Sequence, residues 1–185
     1  MKRTSGHSID YQFISIRMTK KLTEDDELVS LLLDTTKEMG QPLRAGDILV
    51  IAASVVSKTE GRSVLLKSIV PSRRALGIGH RIDVDPRKVE LALRDSERVV
   101  RSDRVLITKR PDGLITDMSG IDESNVEHGR VLLLPGDPRS SALAIHRDIG
   151  RLTGLHVPVI IVDTQGRPWR LGAVGVAVGV AGMKP

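Results

Sequence analysis

The chain has 185 residues, a formal net charge of +5 and no cysteine, which excludes disulfides, thiolate zinc sites and cysteine nucleophiles together. Hydrophobic residues make up 40% but aromatic residues only 2%, so the core must be built from Val, Ile, Leu and Ala, and the several stacking side chains that single-stranded nucleic acids use are missing. Met1 to Asp10 lacks the apolar centre of a secretory signal, and no run approaches the ~20 apolar residues of a membrane span; the expectation is a cytoplasmic protein with neither nucleic acid nor membrane as partner, whose basic excess serves a small anion.

In chain order, Tyr11 to Arg17 alternates loosely and reads as a first strand. Asp25 and Asp26 offer an N-cap for an amphipathic helix through Leu28, Leu31, Leu32 and Met39, which Gly40 ends. A buried strand over Ile48 to Ala52 follows, then a loop rooted on it that carries Ser54, Ser57, Lys58, Glu60 and Arg62. Val64 to Val70 reads as another strand, and Pro71 with Ser72 starts a helix over Arg73 to Ile78. GIGHRID at Gly77 reads as a turn. Asp85 and Pro86 open a helix with Val89, Leu91, Leu93 and Val99 as its apolar positions. Val105 to Lys109 and Leu114 to Met118 flank Pro111, Asp112 and Gly113, a hairpin signal.

From Ser119 a polar loop, SGIDESNVEHG, leads to a strand over Val131 to Leu134. Pro138 opens a helix through Ala142, Ile145 and Ile149, and the apolar run Val157 to Val162 reads as a buried strand. The tail from Leu171 to Met183 holds four glycines and predicts a buried strand with close backbone approach. The fold class is therefore α/β in the mixed α+β sense: a layered mixed β-sheet with flanking helices and a hairpin-containing subdomain. Residues 1–185 form one domain in this reading, with a smaller subdomain around 102–125.

The chemistry concentrates after the run Val157 to Val162. Asp163 and Thr164 come directly from a strand end, and Arg167, Trp169 and Arg170 follow, in the position where open α/β sheets place ligands. Asp122, beside Ser124 and Asn125, is a second carboxylate on a separate loop. Two carboxylates with hydroxyl and amide neighbours supply the all-oxygen set that Mg²⁺ or Mn²⁺ prefers and leave room for phosphate oxygens; the alternative is that each Asp only caps a turn or helix. Lys58 suits a phosphate as a point charge, with Ser54 or Ser57 as hydrogen-bond donors, although no P-loop pattern is present; the alternative is a solvated surface lysine. Arg167 and Arg170 suit bidentate contacts to an anion, and Trp169 either stacks on a ligand ring or fills a gap at an edge. The five histidines show no zinc-binding spacing.

The segments GDILVIAASVVSKTEGR, DPRKVELALRDSERVVR, SGIDESNV, LLLPGDPRSSA and VIIVDTQGRPWRLGAVGVAVGVAG resemble, in register, the coenzyme F420-0:L-glutamate ligase (γ-glutamyl ligase) family, over roughly Leu28 to Pro185. The resemblance implies a GTP-dependent ligase that adds L-glutamate to coenzyme F420-0 through an acyl phosphate, a divalent metal, Mg²⁺ or Mn²⁺, with K⁺ as a further ion, and a homodimer. By motif it implies Asp122, Asp163 and Thr164 as metal ligands. It implies nucleotide contacts at Ala53, Ser54, Lys58 and Asn125, and through the backbone at Met18, Thr19, Lys20 and Lys21. The catalytic base stays unassigned.

Two departures stand out. The family carries a Gly-Leu-Pro-like turn where this chain has Met18 to Leu22, and a second Asp where it has Arg139. Family members also continue past the position of Pro185 through a segment with another metal ligand, so the expected site is completed by a further segment or a separate chain. A second reading keeps the nucleotide and drops catalysis: a non-catalytic or incomplete paralogue that binds nucleotide or a partner protein.

Overall fold

A computed structural model describes residues 11–124, 126–166 and 171–184. Among them five α-helices and three small sheets form a mixed α+β fold, as the sequence leads one to expect. The largest sheet joins β1 (Leu49–Ala52), β7 (Val159–Gln165) and β8 (Val174–Ala181) in the order β1-β7-β8. β1 runs parallel to β7, and β8 returns antiparallel. Leu49, Ile51, Val159 and Ile161 all point to one face, as strand alternation requires. There they meet α1 (Leu28–Glu38), α2 (Ala53–Thr59) and α5 (Pro138–Thr153) in a single aliphatic cluster.

A two-stranded sheet pairs β2 (Ser63–Leu65) with β6 (Arg130–Leu132), and an antiparallel sheet pairs β3 (Arg98–Asp103), β4 (Val105–Lys109) and β5 (Ile115–Asp117). α3 (Arg73–Ile82) and α4 (Pro86–Arg94) pack on the latter over Ala75, Ile78, Val89, Ala92 and Leu106. Both helices begin on the caps the sequence offers: Ser72 accepts from the Ala75 N–H and Asp85 from the Arg87 N–H. No helix among the described residues is long and apolar enough to cross a membrane.

Several expectations are corrected. Tyr11 to Arg17 is irregular, with Phe13 94% exposed; alternation fixes which side chains share a side, but a strand also needs a neighbour offering N–H and C=O groups, and none pairs here among the described residues. Asp26 does not cap α1. Its carboxylate accepts from the N–H and hydroxyl of Thr23 instead, and Glu27 holds the cap position without a side-chain bond. The supposed loop after β1 is α2, whose buried Ala53, Val56 and Ser57 follow helical spacing. Only Ser63–Leu65 of the proposed strand from Val64 to Val70 pairs, before the chain tightens into a 3₁₀ turn.

GIGHRID lies largely inside α3, where Gly79 lets the helix sit against the Val84 carbonyl; a β-carbon there would approach it to 2.7 Å. Val99 belongs to β3, not to α4. β7 runs on through Gln165, so Asp163 and Thr164 sit within a strand and not beyond its end. β8 is a strand as expected but buries mainly its C-terminal half. Its close approach is real: a β-carbon on Gly179 would come within 2.1 Å of the Pro138 carbonyl oxygen.

Candidate active site

Register places the first site element. Ala52 pairs with Val162 across the parallel β1–β7 ladder, so the chain enters α2 at Ala53 beside the point where β7 reaches Asp163. Ala53 is buried, and Ser54 and Lys58, four residues apart on the short helix, share one of its faces. Lys58 makes no ion pair among the described residues.

The second carboxylate arrives from the β6 side. The Asp122 N–H donates to Leu132 (2.9 Å) and its carbonyl accepts from the Leu132 N–H (2.8 Å), which fixes its backbone to β6. Its carboxylate accepts from both the N–H and the hydroxyl of Ser124, at 2.8 and 2.7 Å, the short-range turn that Asp favours. Glu123, the next residue, is held to α4 by Lys88 at 2.5 Å.

The two carboxylates are within electrostatic reach of each other. Partial burial pushes the Asp163 carboxyl above its usual range, and the Asp122 charge adds to that rise; hydrogen bonds from the Gln165 side chain and the Thr164 backbone, and the field of Arg110, oppose it. Two like charges brought together in a half-buried setting are a standing cost that a bound cation relieves. Among the described residues no three His, Cys, Asp or Glu side chains gather as a metal cluster. The donor set nevertheless fits Mg²⁺ or Mn²⁺, which take one or two carboxylates and complete their shell with water and phosphate oxygens.

The segment 18–21 approaches the same region. Lys21 reaches Glu127, in the loop that follows Asp122, at 2.5 Å, whereas the Lys20 side chain pairs with Asp26. Met18 packs on the large aliphatic cluster and Thr19 is exposed. Asn125, Arg167, Trp169 and Arg170 lie outside the described residues, and so do the roles expected of them. Thr164 is exposed next to Asp163.

Sequence reasoning missed the cations and hydroxyls that brace this site. Arg110 is 1% exposed and donates to Asp95, to Asp112 at 3.1 Å and to the Pro135 carbonyl at 2.9 Å. Arg62 joins it on Asp95 at 2.7 Å and also holds the Leu134 carbonyl at 2.9 Å. Two guanidinium groups thus share one carboxylate and grip the chain leaving β6. An Arg directly before a turn reads as a surface residue, because the partners that bury it lie 15 and 25 positions away.

The fold is mixed α+β, with Asp163 in β7 and Asp122 bridged to β6 within electrostatic reach of each other. Residues 16–185 match the model of the F420-0:γ-glutamyl ligase family. The chain is 45% identical to the coenzyme F420:L-glutamate ligase of Methanothermobacter thermautotrophicus over 86% of its own length and 64% of the relative's. It is 41% identical to that of Methanopyrus kandleri, over 91% and 65%, and 40% identical to that of Archaeoglobus fulgidus, over 88% and 64%. It therefore belongs to the F420-0:γ-glutamyl ligase family, and it spans about two thirds of the length of these relatives.

Proposed function

We propose that the chain supplies the metal and nucleotide half of a GTP-dependent ligase that joins L-glutamate to coenzyme F420-0 in the cytoplasm. The names of its relatives support the reaction class. The observation that carries the reading is the approach of Asp122 and Asp163, residues 41 positions apart in sequence, to electrostatic reach.

A carboxylate is a poor electrophile. Transfer of the GTP γ-phosphoryl group to the F420-0 carboxylate oxygen releases GDP and makes an acyl phosphate; the glutamate amine then attacks the carbonyl carbon, phosphate leaves, and the amine proton is lost as the amide forms. Asp122, Asp163 and the Thr164 hydroxyl are the residues that would hold Mg²⁺ or Mn²⁺, which supplies charge neutralisation at the phosphoryl oxygens. Lys58 adds a point charge on the same phosphates, with Ser54 beside it as a donor. The Ala53 backbone and the segment from Met18 to Lys21 border the nucleotide, joined by Asn125, and Arg167 and Arg170 take the remaining anionic groups. A homodimer and bound K⁺ belong to the same proposal.

Titration with GTP in the presence and absence of Mn²⁺ tests the first half of this reading, and mass detection of glutamylated F420 tests the second. Metal-dependent GTP binding that Asp163→Asn abolishes is the expected result. Equal GTP affinity in wild type and Asp163→Asn overturns it. Binding without product assigns this chain the nucleotide step alone.

A further inference from the structure

Between β5 and Asp122 the backbone takes an uncommon path. Met118, Ser119 and Gly120 all lie in the left-handed region, with φ of 47°, 55° and 74°. A glycine adopts that region freely, but two successive residues with side chains do not, and such conformations persist only where their surroundings over-determine them.

The surroundings are specific. Ser119 is fully buried. Its N–H donates to the Thr108 hydroxyl at 3.0 Å and its own hydroxyl donates to the Ala92 carbonyl at 2.8 Å. The Ser119 proton is thereby used, so the remaining 2.8 Å contact between the two hydroxyls has Thr108 as donor. Every polar group of Ser119 that faces the core is satisfied, and one side chain ties the turn to β4 and α4 together. Gly120 is pressed on Leu134, where a β-carbon would stand 2.4 Å from a methyl group. Two residues later Asp122 makes its paired backbone bonds to Leu132.

We propose that the Thr108–Ser119 hydroxyl pair is the positioning device for Asp122: it holds the left-handed turn that delivers this carboxylate to Asp163. Neither residue touches the ligand. The inference rests on the reading of Asp122 as a metal ligand.

Two variants test it. Ser119→Gly keeps the backbone freedom and removes the hydroxyl, and Thr108→Val removes the other hydroxyl with little change of shape. Both should weaken Mn²⁺ binding, followed by the electron paramagnetic resonance signal of the free ion with GTP present, by about tenfold, the scale on which supporting residues act at metal sites. Ile149→Val, in the separate aliphatic cluster on α5, serves as the control: it should lower thermal stability and leave Mn²⁺ affinity unchanged. Should Ser119→Gly fail to fold, Thr108→Val carries the test. Wild-type Mn²⁺ affinity in folded Ser119→Gly or Thr108→Val overturns the inference and makes the pair a purely structural brace. If Asp122→Asn binds Mn²⁺ as tightly as wild type, the metal reading beneath it fails instead, and the positioning role fails with it.

Discussion

The half of the molecule built on β1, β7 and β8 and the half built on β3, β4 and β5 are ordered by different forces. Among the described residues, sixteen buried side chains form one cluster between the first sheet and α1, α2 and α5, and five form the cluster beneath α3 and α4. The second half relies on polar links in proportion: Arg110 with Asp95 and Asp112, Thr108 with Ser119, and Glu90 with Ser72 and Arg94. Aliphatic packing is non-directional and tolerates drift; hydrogen bonds with fixed geometry do not. Asp163 comes from the aliphatic sheet, and Asp122 comes from the loop after β5, bridged to Leu132 of β6.

The sharpest way to break this contrast is Arg110→Met. It leaves Asp112 without its guanidinium and Asp95 with Arg62 alone, beside a buried apolar chain, and removing one partner of a buried ion pair costs about 3–5 kcal/mol. Urea unfolding should show a loss of that order, and a loss below about 1 kcal/mol would mean that aliphatic burial alone holds this half. On the other side, Gly179→Ala drives a β-carbon to within 2.1 Å of the Pro138 carbonyl oxygen, and overpacking of this kind costs about 1–3 kcal/mol. Gly175→Ala is its counterpart on the same strand. There the nearest atom is the Val162 β-carbon at 3.9 Å, so thermal unfolding should separate a destabilised Gly179 variant from a near-neutral Gly175 variant.

A pH experiment sharpens the polar side. The side-chain and backbone hydrogen bonds from Ser72, with Arg94 in support, pull the Glu90 carboxyl from 4.5 down to about 2. A depressed carboxyl contributes stability that is complete above its unfolded value and disappears as the pH falls toward the folded one. The difference in stability between wild type and Glu90→Gln should therefore be constant near neutrality and shrink between pH 4.5 and about 2. A difference that stays flat across that window removes Glu90 from the account.

The smallest effect carries the opposite sign. Burial, with Asp122 adding to it, raises the Asp163 carboxyl, so the folded state holds that proton more firmly and loses stability as the pH climbs past the ordinary carboxylate range. Asp163→Asn should then raise the melting temperature of the metal-free protein slightly at neutral pH, with the gain vanishing in acid, even as it removes metal-dependent binding. A lower melting temperature at neutral pH would show that the two carboxylates do not oppose each other.

Much of the frame is legible from local chemistry. Ser72, Asp85 and Asp137 mark the starts of α3, α4 and α5 because their side-chain oxygens accept from N–H groups two or three residues on. The Pro111–Gly113 turn sets the β4–β5 register, and the runs at β1 and β7 announce strands by composition. The site's two carboxylates are legible for a related reason, since Asp122 and Asp163 stand in short polar motifs next to apolar runs. The left-handed turn at Met118 to Gly120, the burial of Arg110 and the helical state of α2 are not. Each depends on a partner remote in sequence, and a residue's own type does not say which neighbour the fold will bring to it.

The sequence by itself determined the starts of α3, α4 and α5, the α+β class and the kinship with the F420-0:γ-glutamyl ligases, because caps and turns act over a few residues and motifs are read in order. Only the tertiary structure decided that Asp163 sits inside a strand beside Asp122, that an arginine ahead of a surface turn becomes the buried clasp between β6 and α4, and that a serine hydroxyl holds a left-handed turn in place. Those outcomes depend on which surfaces meet across the fold, and burial and electrostatics act through space, not along the chain.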